Sequence, residues 1–160
     1  MNERQLGLPI DLHGGGQDLI FPHHENEIAQ SVCSNNGAAY CEFWVHNGFV
    51  TVDGRKMSKS LSNVVLVRDL LSRTEGGAIR LALLSAHYRQ SLDWSENLLA
   101  ASGRTLKRLC RLMDDTLARA VCGDIGLASS EDPIARALDD DLNTPAALST
   151  LYTIAAQLRR

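Results

Sequence analysis

Three clusters in this 160-residue chain combine residue types and spacing that could do chemistry. The first is His13-Gly14-Gly15-Gly16-Gln17-Asp18. Three glycines after a short strand let the backbone come close to a ligand, and Asp18 offers a carboxylate for ribose hydroxyls. A plain Gly-rich turn accounts for the same residues. The second cluster is His23-His24-Glu25-Asn26-Glu27. His23 and Glu27 lie four apart, so on a helix they share a face and could give one nitrogen and one oxygen to a metal ion. The competing reading is a surface helix start, where acids suit the positive end of the helix dipole. An H-E-x-x-H zinc-peptidase reading from His24 fails, because the second histidine would fall at Ile28. Cys33 cannot share an ion with His23, since ten residues of straight helix span about 15 Å. The third cluster is Lys56-Met57-Ser58-Lys59-Ser60. Two lysines and two hydroxyls on a loop could neutralise the charge that builds on a departing pyrophosphate; a solvated basic loop is the plainer alternative. Arg104, Lys107, Arg108 and Arg111 add a basic stripe at helical spacing, which fits an RNA backbone or simply the wet face of an amphipathic helix.

Two kinds of element must position these residues. From the N-terminus to about Ser72, strand-like stretches at Pro9–Leu12, Phe43–Val45 and Phe49–Val52 alternate with helix-like segments, which predicts α/β architecture. Pro22 opens the helix carrying His23 and Glu27. Asp53-Gly54 is a turn that ends Phe49–Val52, and 55–63 reads as an ordered loop. From about Gly77 onward the pattern is almost purely helical. Ala78–Tyr88 reads as one helix, and Ser95 caps the next. That next helix carries an apolar stripe through Leu99, Leu106, Leu109, Met113 and Leu117, interrupted at Ser102-Gly103. A Gly/Ser/Asp-rich loop leads to a helix at Pro133–Leu138. Thr144-Pro145 opens the last helix, with Leu148, Leu151, Ile154, Ala155 and Leu158 on one side.

Composition sets the outer bounds. Apolar residues make up 44% and charged residues 22% of the chain, which is typical of a folded globular protein. No apolar run approaches the ~20 residues of a membrane span. The N-terminus lacks the basic-then-apolar order of a secretory signal, so a cytoplasmic location is expected. The cysteines, Cys33, Cys41, Cys110 and Cys122, form no C-x-x-C pair, which excludes a zinc ribbon or redox motif. A net charge of −3 gives no bulk attraction to nucleic acid, so any RNA contact must be local.

Taken in order, these pieces resemble the cysteinyl-tRNA synthetases. The run from His13 through His23-His24-Glu25-Asn26-Glu27-Ile28-Ala29-Gln30-Ser31 is similar to that family's stretch between nucleotide pocket and zinc site. Trp44-Val45-His46-Asn47-Gly48-Phe49 followed by Lys56–Ser60 resembles the approach to the class I signature loop. His87-Tyr88-Arg89 and the stretch Asp139 to Pro145 resemble later landmarks. The likeness implies an α/β fold, the second half of a class I synthetase Rossmann-like core, over 1–94. An α-helical bundle segment, the start of the tRNA-binding helical domain, follows over 95–160. It implies ATP-dependent activation of cysteine, with magnesium, and transfer to tRNA-Cys. It also implies a zinc ion that binds the substrate thiolate, with His23 and Glu27 as two of its four protein ligands. Lys59 would contact the ATP phosphates with Lys56 assisting, and His13, Gly15, Gly16 and Asp18 would line the adenylate pocket.

The same resemblance carries departures. The family's early H-I-G-H-type motif and its two cysteine zinc ligands fall ahead of the stretch matched here, so the isolated chain is expected to be inactive. Ser62 stands where the family often has glycine. Two other functions compete: a ligase joining cysteine to an amino-sugar in mycothiol synthesis, and a non-catalytic synthetase-like module that binds tRNA or a partner.

Overall fold

The structure is a computed structural model in which residues 2–58, 61–119 and 132–157 are described. The chain divides into two compact units, one ending at Phe49 and one beginning at Val50.

In the first unit a short helix α1 (Asn2–Leu6) precedes β1 (Ile10–Gly16). A 3-10 turn at Gln17–Leu19 and a wide turn at Ile20–His24 lead into α2 (Glu25–Ser34). Phe21 is extended (φ −133°, ψ 134°), the conformation that the following Pro22 imposes on its neighbour. Helical backbone then runs through His24 into α2, so His23, His24 and Glu27 lie on one winding. β2 (Cys41–Asn47) pairs parallel with β1, in register from Ile10 opposite Cys41 to Gly16 opposite Asn47. Side chains alternate faces along a strand, so His13 and Gly15 share one face with Trp44 and His46. Those four positions are partly buried, while Leu12, Gly14, Phe43 and Val45 between them are exposed.

The second unit opens with a hairpin. β3 (Val50–Val52) and β4 (Arg55–Lys56) are joined by Asp53-Gly54, both at positive φ (49° and 74°), the geometry of a two-residue primed turn. The segment 55–63 expected as loop thus begins with two strand residues. Helices α3 (Val67–Leu71) and α4 (Gly76–Leu83) follow, then β5 (Leu92–Trp94), which pairs parallel with β3. β5 corrects the expectation of an almost purely helical chain after Gly77. Its three residues are too few for periodicity to mark, and its partner lies 42 residues away. α4 is also shorter than the helix expected at Ala78–Tyr88. Ser85 turns its hydroxyl back to the Ala82 carbonyl at 2.7 Å, and Tyr88 and Arg89 leave the helical path to bond Asp141.

α5 (Glu96–Arg119) starts as expected, with the Ser95 hydroxyl accepting from the Leu98 amide at 3.2 Å. Ser102-Gly103 does not break it. Ser102 is buried and Gly103 faces Ala78, while the close approach of α4 to α5 is at Gly77, where a Cβ would lie 2.8 Å from Leu106 Cδ2. The core here is Leu70, Ala78, Ile79, Ala82, Trp94 and Leu99, walled by Val50, Val52, Leu92 and Leu106. Met113, placed on the apolar stripe by spacing, is 62% exposed; of Leu117 only the backbone is described.

The last two helices form a corner. Asp132 caps α6 (Pro133–Asp139) by accepting from the Ile134 amide, and Asn143 caps α7 (Thr144–Gln157) by accepting from Ala146. Ala155 is buried on α7 and Ile154 is exposed; Leu158 lies outside the described residues, as does the 120–131 loop. Between the helices Asp141 and Leu142 both have positive φ. Asp141 accepts from the Tyr88 hydroxyl and from Arg89 Nε, each at 2.6 Å, and these donors hold its carboxyl down to about 2. The two later landmarks therefore touch one another, pinning the turn after α4 to the α6–α7 corner. No helix among the described residues is long and apolar enough to cross a membrane.

Candidate metal and nucleotide site

β1, β2 and α2 assemble a histidine cluster around Glu27. His13 Nε2 lies 2.9 Å from Glu27 Oε2, and His23 Nε2 lies 3.7 Å from Oε1. Ligand atoms of His13, His24 and Glu27 all fall within 4.8 Å of one another. The spacing-based pair His23 and Glu27 is thus brought together, and two further histidines join it. His13, expected to line the adenylate pocket, faces the Glu27 carboxylate. His24 and His46 were not singled out as ligands by spacing. In the chain, His24 stands three before Glu27, a spacing that also shares a helical face, and the alternation in Trp44-Val45-His46 puts Trp44 and His46 on one strand face.

His24 is 3% exposed, with its Nδ1 2.8 Å from His46 Nε2. Burial, followed by the neighbouring His13 and His46, pushes its pKa below the usual imidazole value. A neutral imidazole that donates Nδ1–H to His46 keeps a lone pair on Nε2, the state a metal ligand needs. Trp44 closes the cluster, its ring 4.9 Å from that of His13 and 5.0 Å from that of His24.

The donor set fits a zinc-like cation. Tetrahedral zinc with bonds near 2.1 Å separates its ligand atoms by roughly 3.4 Å. The Glu27 oxygens sit 2.9 and 3.7 Å from two imidazole nitrogens, close to that spacing. Glu27 Oε2 is buried and has no hydrogen-bond partner, although His13 is adjacent. A buried carboxylate oxygen without an aligned N–H donor is a place where a bound ion could supply the missing partner. Cys33 is exposed on α2, and burial pushes the Cys41 thiol up.

Gly15 has a packing reason for being glycine. A Cβ there would lie 2.9 Å from both His24 Cε1 and Leu19 Cδ1. Gly15→Ala should therefore lower stability by about 1–3 kcal/mol in urea unfolding, because His24 cannot swing away without losing His46. An unchanged midpoint would show that the imidazole is not held there. Gly16 packs beside Asp18, whose oxygen lies 2.5 Å from where its Cβ would be. Asp18 itself is exposed on the 3-10 turn.

The lysine loop belongs to the second unit. Lys56 ends β4 with its side chain exposed; Lys59 and Ser60 lie outside the described residues. Ser62, the position noted as a departure, has φ +53°. A side chain in that region costs about 1–2 kcal/mol relative to glycine, which explains a preference for glycine there. Ser62→Gly should raise thermal stability by about 0.5–1 kcal/mol; a loss of stability would mean that the serine side chain makes a compensating bond. On α5 the exposed Arg104, Lys107, Arg108 and Arg111 line a cleft of about 390 Å³.

The fold is that of a class I aminoacyl-tRNA synthetase. The chain superimposes over 96% of its length on 22% of the LeuRS in a LeuRS–tRNA–LeuAMS complex from Agrobacterium radiobacter K84, with TM-score 0.73 and 20% identity. Residues 1–104 match the class I (C) tRNA synthetase catalytic domain, and residues 134–160 match the DALR domain. The chain belongs to the class I (C) tRNA synthetases, the family of the cysteine–tRNA ligases. It is 49% identical to the cysteine–tRNA ligase of Xanthomonas oryzae pv. oryzae over 99% of its own length, and 50% identical to that of Maricaulis maris over all of it. The relative from Parvibaculum lavamentivorans is 51% identical over 97% of the chain. The chain spans about a third of the length of these curated relatives (34%, 34% and 33%). All three carry the name cysteine–tRNA ligase.

Proposed function

We propose that this segment holds the sulfur-selecting metal and part of the phosphate-handling machinery of a cysteine–tRNA ligase. The observation that carries this is Glu27, whose carboxylate stands between imidazoles with one buried oxygen lacking a hydrogen bond. His23 and Glu27 hold zinc, together with cysteines that the family carries ahead of this segment. His13 fixes the Glu27 carboxylate from the other side, and His24 with His46 backs the cluster. Zinc, when bound, supplies a soft Lewis acid that prefers a thiolate to a hydroxyl. Serine differs from cysteine only by oxygen for sulfur, a change that a pocket working by shape senses poorly. The chain's own residues thus provide discrimination by donor chemistry.

The second part is phosphoryl chemistry. The cysteine carboxylate attacks the ATP α-phosphate, and pyrophosphate leaves carrying extra negative charge. Lys59, with Lys56 assisting, neutralises that charge. His13, Gly15, Gly16 and Asp18 border the adenylate, Asp18 offering its exposed carboxylate to the ribose. Residues 1–94 act as the catalytic part and 95–160 as the start of the tRNA-binding helices. The protein works in the cytoplasm.

ATP–pyrophosphate exchange tests the reading, with this segment replacing its counterpart in the full-length Xanthomonas ligase. Exchange that depends on cysteine and not on serine supports it; exchange driven equally by both contradicts it. For tRNA, the α5 stripe is the proposed phosphate contact, since 97–113 contains four cations and no acid. Replacing Arg104, Lys107, Arg108 and Arg111 by alanine should flatten the slope of log affinity against log salt by roughly 0.7–0.9 per lost contact. An unchanged slope would assign the stripe to solvent.

A further inference from the structure

The lysine loop has a clamp that neither its charges nor the metal cluster requires. Asn63 Oδ1 accepts from the Ser58 amide at 2.9 Å, and its Nδ2 donates to the Lys56 carbonyl at 3.1 Å. One side-chain amide thus ties the end of the loop to two points at its beginning. The Ser58 hydroxyl accepts from the Leu61 amide at 3.3 Å, and the Met57 amide donates to Val50, so the entry strand is also fixed. Ser62, at positive φ, turns the backbone so that Asn63 faces back toward the loop.

We infer that Asn63 is a positioning residue for the lysine loop: its amide sets the backbone at Lys56 and Ser58, and thereby where the Lys56 charge stands against the departing pyrophosphate. The inference rests on the phosphate-handling part of the proposed function. A flexible lysine lowers a barrier only if its charge is already in place when negative charge develops, because reorganising it during the reaction costs what the attraction returns. A two-pronged clamp on the backbone supplies that preorganisation without touching substrate. No other standard side chain of similar size both donates and accepts at this reach. Aspartate keeps the bond from Ser58, loses the one to Lys56 and places a negative charge beside the lysines.

The test again uses the full-length Xanthomonas ligase carrying this segment. Asn63→Ala should lower kcat for ATP–pyrophosphate exchange by about 10- to 100-fold, as expected for reacting groups displaced by about an ångström. The KM for cysteine and the bound zinc should stay as they were, because neither depends on the loop. Asn63→Asp should be at least as slow. A general loss of folding would instead reduce zinc and the thermal midpoint together. Retention of kcat within about twofold of the parent in Asn63→Ala overturns the inference. The clamp has a separate readout, amide hydrogen exchange at Ser58, which should quicken in Asn63→Ala. Slow exchange in that variant overturns it even where kcat falls. If the unsubstituted chimera itself shows no exchange with cysteine, the proposed function fails. The kinetic role of Asn63 then falls with it, and Ser58 exchange still decides the clamp.

Discussion

Glu27→Ala raises the zinc dissociation constant by at least about 100-fold, since a ligand carboxylate should matter more than the outer partners whose loss costs 10–100-fold. Competition against a chelator measures it, in the full-length relative carrying this segment. The expectation follows from Glu27 being the one residue that both imidazole nitrogens approach, at 2.9 and 3.7 Å. The same titration separates the histidines. If His23 ligates directly and His13 steadies Glu27, His23→Ala matches the Glu27 loss and His13→Ala stays within about 10- to 100-fold. The reverse ranking would assign the ion to His13, His24 and Glu27, the group whose donor atoms lie within 4.8 Å. Glu27→Ala with full zinc content would remove the metal from this cluster altogether.

In the full-length relative carrying this segment, Lys59→Ala should lower kcat for adenylate formation by about 10²- to 10³-fold, the usual loss when one preorganised charge aimed at a developing anion is removed. The KM for cysteine changes little, because the loop charge acts on the transition state more than on bound substrate. Lys56→Ala is milder, in keeping with an assisting role at the start of the loop. Stopped-flow or exchange kinetics distinguish these outcomes. Equal kcat in parent and Lys59→Ala would place the loop outside the chemistry.

Much of this arrangement was legible in the chain because its signals are local. Asp53-Gly54 marks a two-residue turn and forms one. Ser95 announces a helix through capping that acts over three residues, and Thr144-Pro145 announces one because proline suits the first helical turn. His23 and Glu27 share a face by helical arithmetic alone.

The rest depends on partners far apart in sequence. β5 exists because β3 offers it a parallel edge, so its three residues carry no pattern of their own. Ser102-Gly103 looks like a break until α4 is laid beside it, where Ser102 is buried and Gly103 faces Ala78. The place of His13 is set by a strand register and a turn that bring it to Glu27, fourteen positions on. The packing of Gly15 against His24 and Leu19 likewise comes from the fold and leaves no local mark in the chain. Asn63 has no motif of its own; its role follows from two hydrogen bonds that close a loop.

If an ion gripped by His23 and Glu27 recognises sulfur, the cysteine thiolate must bind that ion directly. Cobalt in place of zinc makes that visible, in the full-length relative carrying this segment. Adding cysteine should produce a thiolate-to-cobalt charge-transfer band that serine does not produce and that Glu27→Ala abolishes. A spectrum unmoved by cysteine, or moved equally by serine, would contradict the claim.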